Sequence, residues 1–289
     1  MFAEIRALED NSSWTLELLS PGFHQSLADY FLFTMVTPTS ITLVLFYVDD
    51  ILVAGNDISQ IEVFKSVLST HFKTKDLGSL EYFLGLKVAL SSKGIFLNQR
   101  KYALDILFDS GQLGSWTSHF PMEQHLKLTN HDGDLLPDPC VYRRLVRRLI
   151  YLTITCIDIV YTMNILSQFM HASRVPHMTA ATRVLRYIKG SPRYGIFFSS
   201  SSGVNITTYT DSDWASCPAT RRSTTRYFIQ LGTSPLSWCT KKKTTVTRSS
   251  AEVEYCAMAV TTYELIWLKQ LLTNLGIPYP EPITLHCDN

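Results

Sequence analysis

The chain has 289 residues and a mass of 32.8 kDa. This length is greater than that of one ordinary domain and is typical of a protein with two or three domains. Hydrophobic residues make up 46% and charged residues 18%, so the composition is globular and excludes a disordered protein. The formal net charge of +1 excludes a uniformly basic nucleic-acid binder. The first residues carry charge and no apolar run, so no secretory signal is predicted. No apolar stretch reaches the roughly 18 residues that a membrane span requires, so we expect no membrane partner.

The six cysteines indicate free thiols rather than disulfides or a zinc site. No two of them show the two-residue spacing that is typical of zinc ligands. Free thiols are typical of a reducing compartment, so we expect an intracellular protein that is not secreted.

Charge is distributed unevenly along the chain. Residues 140–250 hold 16 of the 26 basic residues and three acidic ones, which gives this segment a charge of +13. A polyanion such as nucleic acid is the simplest partner for that segment. The alternatives are solvated helix faces and neutralisation by the acidic flanks, since the remainder of the chain carries −12.

The first half of the chain predicts two hairpins and two helices. Residues 41–48 are rich in β-branched and aromatic side chains and predict a buried strand, and residues 51–55 predict a second. Between them, Asp49 and Asp50 are placed at a hairpin tip. Two carboxylates there suit Mg²⁺, but Asp is also a common turn residue, so both interpretations stay open. The further predictions are helices over 59–71 and 101–109, a hairpin over 82–88 and 95–98, and a loop over 119–139.

The second half predicts helices followed by a mixed sheet. Helices are predicted over 142–169 and 177–189, strands over 204–210, 227–231, 236–239 and 283–287, and a long helix over 249–272. Ser249 and Glu252 match a capping box at the start of that helix, so Glu252 is interpreted as a cap partner. Glu254 points elsewhere and needs its own explanation.

Three carboxylates are predicted to converge on one side of this sheet. Asp211 ends the first strand, Glu254 lies in the first turns of the helix and Asp288 ends the last strand. Such a set suits two divalent ions that act on a phosphodiester, and oxygen ligands favour Mg²⁺ or Mn²⁺. Surface aspartates at strand ends are the alternative.

Several ordered motifs resemble one family. Tyr47-Val48-Asp49-Asp50, followed by 51–56, resembles the Y-V-D-D hairpin of the copia-type retrotransposon reverse transcriptases. Tyr209-Thr210-Asp211-Ser212-Asp213 resembles the first strand of that family's ribonuclease H domain. The other matching segments are 77–86, 142–146, 166–170, 186–190, 221–224, 249–255 and 287–289.

The resemblance implies roles for particular residues. It implies that Asp49 and Asp50 bind the polymerase metal, and that Asp211, Glu254 and Asp288 hold the ribonuclease H metal, with Mg²⁺ or Mn²⁺ as cofactor. It implies an RNA–DNA hybrid as partner, and a cytoplasmic location, in a virus-like particle, or a nuclear one. The nucleic-acid-binding residues that it implies are Arg143, Arg144, Arg147, Arg148, Lys241, Lys242, Lys243 and Arg248.

The chain also departs from the family. Residues 3–16 resemble the start of the polymerase domain and 18–26 resemble a segment just before Y-V-D-D, so we expect the fingers and half of the palm to be missing. The sequence stops at Asn289, so we expect a fourth ribonuclease carboxylate to be missing and the last strand to lack partners. Arg147 and Arg226 stand where the family usually has glycine, which predicts local backbone strain.

The fold class expected is α/β, a mixed α+β protein in three parts. These are a palm and thumb remnant over 1–118, a linker and basic helical connection over 119–203, and an incomplete ribonuclease H-like sheet over 204–289. The function expected is that of a fragment of a reverse transcriptase–ribonuclease H polyprotein whose polymerase is inactive. The alternatives are a non-catalytic nucleic-acid-binding relic and a chain without a stable fold, and whether a partner chain completes the fold stays open.

Overall fold

The computed structural model describes residues 22–124, 126–217 and 219–287. They form helices and mainly antiparallel sheets, which confirms the α/β class. Of these residues, those up to Gly78 together with Thr262–Pro282 form one compact unit. Ser79–Thr261, with those from Ile283 onward, form a second. The segment of residues 1–21, where the resemblance to the start of the polymerase domain lies, is outside the described part, as is Asp288.

The first unit contains an antiparallel sheet of four strands, in the order β1-β2-β3-β4, and helix α1. In β3, Thr42 and Val44 are completely buried, as alternation along a half-covered strand requires. Thr42 donates a hydrogen bond of 3.0 Å to Gln60 of α1, which places the helix on that face. The bounds are β1 His24–Gln25, β2 Leu32–Val36, β3 Ile41–Tyr47, β4 Asp50–Gly55 and α1 Ile58–His71.

The second unit begins with a sheet and a helical cluster. Strand β8 pairs with β7, so the sheet joins segments that are about 100 residues apart in sequence. The bounds are β5 Tyr82–Phe83, β6 Leu86–Ser91, β7 Gly94–Asn98, α2 Arg100–Asp109, α3 Pro139–Leu152, α4 Val160–Ser167, α5 Val175–Gly190 and β8 Gly195–Ser199. Residues on α2, α3, α4 and α5 form one buried apolar core.

The single helix predicted over 142–169 is wrong, because the chain leaves the helix after Leu152. A 3₁₀ turn over Ile157–Ile159 precedes α4. Thr155 is buried and donates a hydrogen bond of 2.9 Å to Gln99, and Gln99 donates one to the carbonyl oxygen of Tyr151. These tertiary hydrogen bonds compete with helical ones, and helical periodicity does not reveal them.

A third sheet follows, with the strand order β11-β10-β9-β12. Strand β12 runs parallel to β9, and the other pairs are antiparallel. The bounds are β9 Ile206–Asp213, β10 Thr224–Leu231, β11 Ser234–Lys242, α6 Ser250–Asn274 and β12 Thr284–Cys287. Strand β9 begins two residues later than predicted and continues to Asp213, β10 begins earlier at Thr224, and β11 extends further at both ends, because β10 pairs with both neighbours along its whole length.

Helix α6 covers one face of this sheet. Thr261 donates a hydrogen bond of 3.0 Å to the Thr210 hydroxyl, and Val253 and Ala257 are buried on the same side of the helix. At the helix start, Glu252 N–H donates to the Ser249 hydroxyl and the Glu252 carboxylate accepts from Arg248 N–H. The interpretation of Glu252 as a cap partner is confirmed. No described helix is both long and apolar enough to span a membrane.

His177 links stability to pH in the helical cluster. Its ring is fully buried and stacks on Phe169 at 4.0 Å. Nδ1 accepts from the Arg174 N–H and Nε2 lies 2.9 Å from the Thr129 carbonyl oxygen, which suits the neutral ring with its proton on Nε2. Burial, the largest effect, lowers the pKa of His177 below its ordinary value of 6.5.

We predict that the free energy of unfolding falls as the pH is lowered through about 6.5, because the unfolded state then binds a proton that the folded state resists. The loss of unfolding free energy stops increasing once the pH is below the pKa of His177 in the folded state. Urea unfolding of the wild type and of His177→Gln between pH 8 and pH 5 checks this. Parallel pH dependence in the two proteins would contradict the assignment to His177.

Candidate functional site

The carboxylates of the first hairpin are exposed and the turn is shifted by one residue. Tyr47 pairs with Asp50, so the tip consists of Val48 and Asp49, and Asp50 is the first residue of β4. Val48 has φ +53°, which is a strained backbone for a β-branched residue. The part of the chain that is described holds no group of three His, Cys, Asp or Glu side chains that could bind a metal ion, so no third ligand joins this pair.

Asp211 lies inside β9 rather than at its end, because the strand continues to Asp213. Arg226 of β10 is its direct partner across the two strands. The guanidinium donates from Nη1 to Asp211 Oδ2 at 3.1 Å and from Nη2 to Asp213 Oδ2. The candidate metal ligand Asp211 is therefore already paired with a cation.

The Arg226 guanidinium is also held from the helical cluster. It lies over the ring of Tyr161 in α4, with its central carbon 5.1 Å from the ring centroid, which is a cation–π contact. Neither Arg226 nor Arg147 has a positive φ. The prediction of backbone strain at these two positions is therefore wrong. Arg226 lies in an extended strand and Arg147 lies in a helix, and any residue can adopt these backbone conformations.

Asp211 and Glu254 lie on different sides of the sheet. Thr210 contacts α6, and successive residues of a strand point to opposite faces, so Asp211 faces away from that helix. Glu254 lies on α6, and Cys287 Sγ is 3.8 Å from its Oε2. Cys287 is the registered partner of Thr210, which places it on the α6 side. Because Asp288 is outside the described residues, convergence of all three carboxylates stays a prediction.

The predicted nucleic-acid-binding residues fall on α3 and around β11. In α3, Arg148 forms an ion pair of 2.7 Å with Asp109 and Arg143 donates to Cys140, whereas Arg144 and Arg147 are exposed. Lys241 and Arg248 are exposed, and Lys243 donates its backbone N–H to Ser223. Apolar residues of α3, among them Val146 and Leu149, are fully buried, which turns the exposed arginines outward.

The structure adds one group that the sequence did not indicate, a thiol held by a lysine. Lys242 Nζ lies 2.7 Å from Cys217 Sγ and 3.0 Å from Gln168 Oε1. Burial raises the pKa of Cys217, but hydrogen bonds from Lys242 and Thr220 outweigh burial and lower this pKa to about 7. The residues are 25 apart in sequence, so no local motif could have revealed the pair.

Comparison with known proteins places these features in a family. The family model for reverse transcriptase (RNA-dependent DNA polymerase) matches residues 11–124. The chain is 41% identical over 281 residues to the retrovirus-related Pol polyprotein from transposon RE2 of Arabidopsis thaliana, which covers 96% of the chain and 19% of that protein. The chain belongs to the copia-like retrotransposon reverse transcriptases. It is a fragment of the Pol type, since it spans about a fifth of the polyproteins that it matches.

Two further relatives match the chain. It is 30% identical over 268 residues to the Pol polyprotein from transposon TNT 1-94 of Nicotiana tabacum, covering 89% of the chain and 20% of that protein. It is 42% identical over 224 residues to an uncharacterised mitochondrial protein of Arabidopsis thaliana, covering 77% of the chain and 92% of that protein. No solved structure matches the chain significantly.

Reverse transcriptases in general use divalent metals, which require several free carboxylate oxygens close together. At the hairpin only two exposed carboxylates are present, and at β9 both aspartates are paired with Arg226. The described residues therefore do not offer a set of free oxygen ligands for Mg²⁺.

The thiol–lysine pair gives a test of the local geometry. We predict that Lys242→Met raises the pKa of Cys217 from about 7 and slows its alkylation by iodoacetamide at pH 7. A shift from about 7 to the ordinary thiol value of about 8.5 lowers the thiolate fraction at pH 7 roughly fifteenfold. Peptide mapping by mass spectrometry measures the rate at this residue, and Lys241→Met is the matched control. Equal alkylation rates in the Lys242 variant and the control would rule out the contact.

Proposed function

We propose that this reverse transcriptase fragment carries a ribonuclease H-like domain over 204–289 and binds nucleic acid, and that it has no polymerase activity. One observation supports the domain above all: three antiparallel strands precede a long helix and a fourth strand that is parallel to the first. The motifs 209–215 and 249–255, which resemble the ribonuclease H domain of the family, fall on the first strand and on the start of that helix.

The hairpin supports the absence of polymerase activity. Two-metal phosphoryl transfer needs carboxylates from more than one part of the palm, and Asp49 and Asp50 are adjacent residues of one hairpin. The sequence resemblance indicates that the palm segment with the remaining aspartate is missing, and the other described acids do not join the pair. The activities of the complete Pol polyproteins therefore do not extend to this chain without a test.

The basic segment supports nucleic-acid binding. Residues 140–250 carry +13, and this charge includes the exposed Arg144, Arg147, Lys241 and Arg248. Exposed arginines on one helix suit contacts to phosphates, which release condensed counterions and make affinity depend steeply on salt. An RNA–DNA hybrid is the partner that the family implies, with Mg²⁺ or Mn²⁺ as the metal of the ancestral reaction and an intracellular location.

A second candidate function is that of a binding protein without any catalytic activity. It is favoured by the pairing of Asp211 and Asp213 with Arg226, which occupies the oxygens that a ribonuclease metal would use. The two candidates share the binding step and differ in whether RNA is cleaved.

The binding test uses fluorescence anisotropy with a labelled RNA–DNA hybrid at several salt concentrations. We predict a linear fall of log K with log salt, and a slope that Arg144→Gln with Arg147→Gln reduces by about two because two phosphate contacts are lost. Arg100→Gln with Lys101→Gln removes the same charge from exposed positions on α2 and is the control. A flat salt response would contradict nucleic-acid binding through the basic segment.

The cleavage test follows the RNA strand of the same hybrid in Mg²⁺ and in Mn²⁺. Because the Asp211 carboxylate is held by Arg226, we predict the outcome that belongs to the second candidate, which is no cleavage beyond that of Asp211→Asn. A cooperative thermal transition and hybrid binding show that the protein in the assay is folded. Metal-dependent cleavage that Asp211→Asn abolishes would favour the active ribonuclease over the binding protein.

A further inference from the structure

Three groups surround the guanidinium of Arg226. They resemble the lining of a cation site in which the guanidinium is the bound cation. Asp211 and Asp213 each receive one of its terminal nitrogens, and the ring of Tyr161 lies against its face. Its Nε is buried and has no hydrogen-bond partner. The side chain is therefore held by the two carboxylates and the ring.

We propose that Arg226 takes the place of a divalent cation at Asp211 and Asp213, so that this face of β9 binds no Mg²⁺ or Mn²⁺. The two carboxylates are neighbours on one face because they are two residues apart in the strand. Arg226 is in register with Asp211, and β10 is the strand directly beside β9. The cation thus comes from the next strand, and no loop movement is needed to deliver it.

The chemistry of arginine makes this pairing difficult for a metal to displace. A guanidinium stays protonated at all ordinary pH values, and its planar fork can serve two carboxylate oxygens at once. The side chains of both aspartates are 40% exposed and that of the arginine is 32% exposed. Solvent therefore weakens the attraction between the guanidinium and the carboxylates, but the ion pairs remain. An incoming metal would have to break two ion pairs and leave the guanidinium beside Tyr161 without its counterions.

Residue 226 supplies this cation. At position 226 the family resemblance expects glycine, which has no side chain to reach β9. Residue 226 has extended backbone in β10, so arginine fits there without strain, and its length spans the strand spacing to both aspartates. Compared with glycine, arginine at position 226 adds one positive charge to this face of the sheet, and β10 pairs with β9 without a break in register.

The test is Mn²⁺ binding to the full chain, followed by the electron paramagnetic resonance signal of the free ion. We expect Arg226→Gln to bind one Mn²⁺ more than the wild type, with affinity at that site raised at least about tenfold because the competing cation is gone. Adding Asp211→Asn to Arg226→Gln is expected to remove the new site. Arg100→Gln, which removes an exposed arginine on α2, is expected to bind as the wild type does.

Two results would overturn the proposal. One is wild-type protein that binds Mn²⁺ at a site sensitive to Asp211→Asn as tightly as the Arg226→Gln variant does. The other is a folded Arg226→Gln variant that gains no site. Should that variant not fold, Arg226→Lys decides: its single ammonium serves one carboxylate at a time, so a smaller gain is expected and no gain overturns the proposal.

This proposal rests on the proposed ribonuclease H-like function, because only such a domain is expected to bind a metal ion at Asp211. Different measurements test the two proposals. Hybrid binding by the wild type is measured in parallel. If hybrid binding is absent, the proposed function fails while the effect of Arg226 on Mn²⁺ still stands. If Mn²⁺ binding is indifferent to residue 226, the inference fails while hybrid binding still stands.

Discussion

The alternation of side chains along β9 is the constraint on which the third sheet depends. Its buried face, with Thr208 and Thr210, carries hydroxyls and contacts α6 through Thr261. Its other face carries Asp211 and Asp213, and strand geometry turns both toward Arg226. Burial of the first face fixes the register of the strand, because a shift by one residue would bury both aspartates under the helix.

Because of this alternation, the residues of β9 that pack against α6 and the residues that carry charge lie on different faces of the sheet. Thr210, Thr261 and Ala257 stabilise the contact between sheet and helix without any charged group. Asp211, Asp213 and Arg226 lie on the opposite face, where substitutions change the electrostatics without altering the contact between sheet and helix. Substitutions on that face can therefore change the chemistry of the sheet while its fold persists.

Much of the fold was predictable, because hydrophobic periodicity and caps are local signals. The helices at 58–71 and 250–274 and the hairpin around Gly94 follow directly from spacing, capping residues and glycine. The break after Leu152 was not predictable, since it depends on Gln99, which lies more than 50 residues away in sequence. Strand ends were missed for a similar reason: β9 continues to Asp213 because β10 pairs with it to the last residue.

The sequence selects candidate site residues but does not reveal which groups they contact. Motif resemblance selected Asp211 and Glu254, but no pattern within either segment states which face each one takes. From the sequence, Arg226 is a replacement for glycine, and the expected effect is backbone strain. The structure shows a different consequence, since the backbone is relaxed and the side chain brings a positive charge to the two aspartates. A substitution for glycine acts through the groups that the new side chain can reach, and its backbone angle alone does not reveal them.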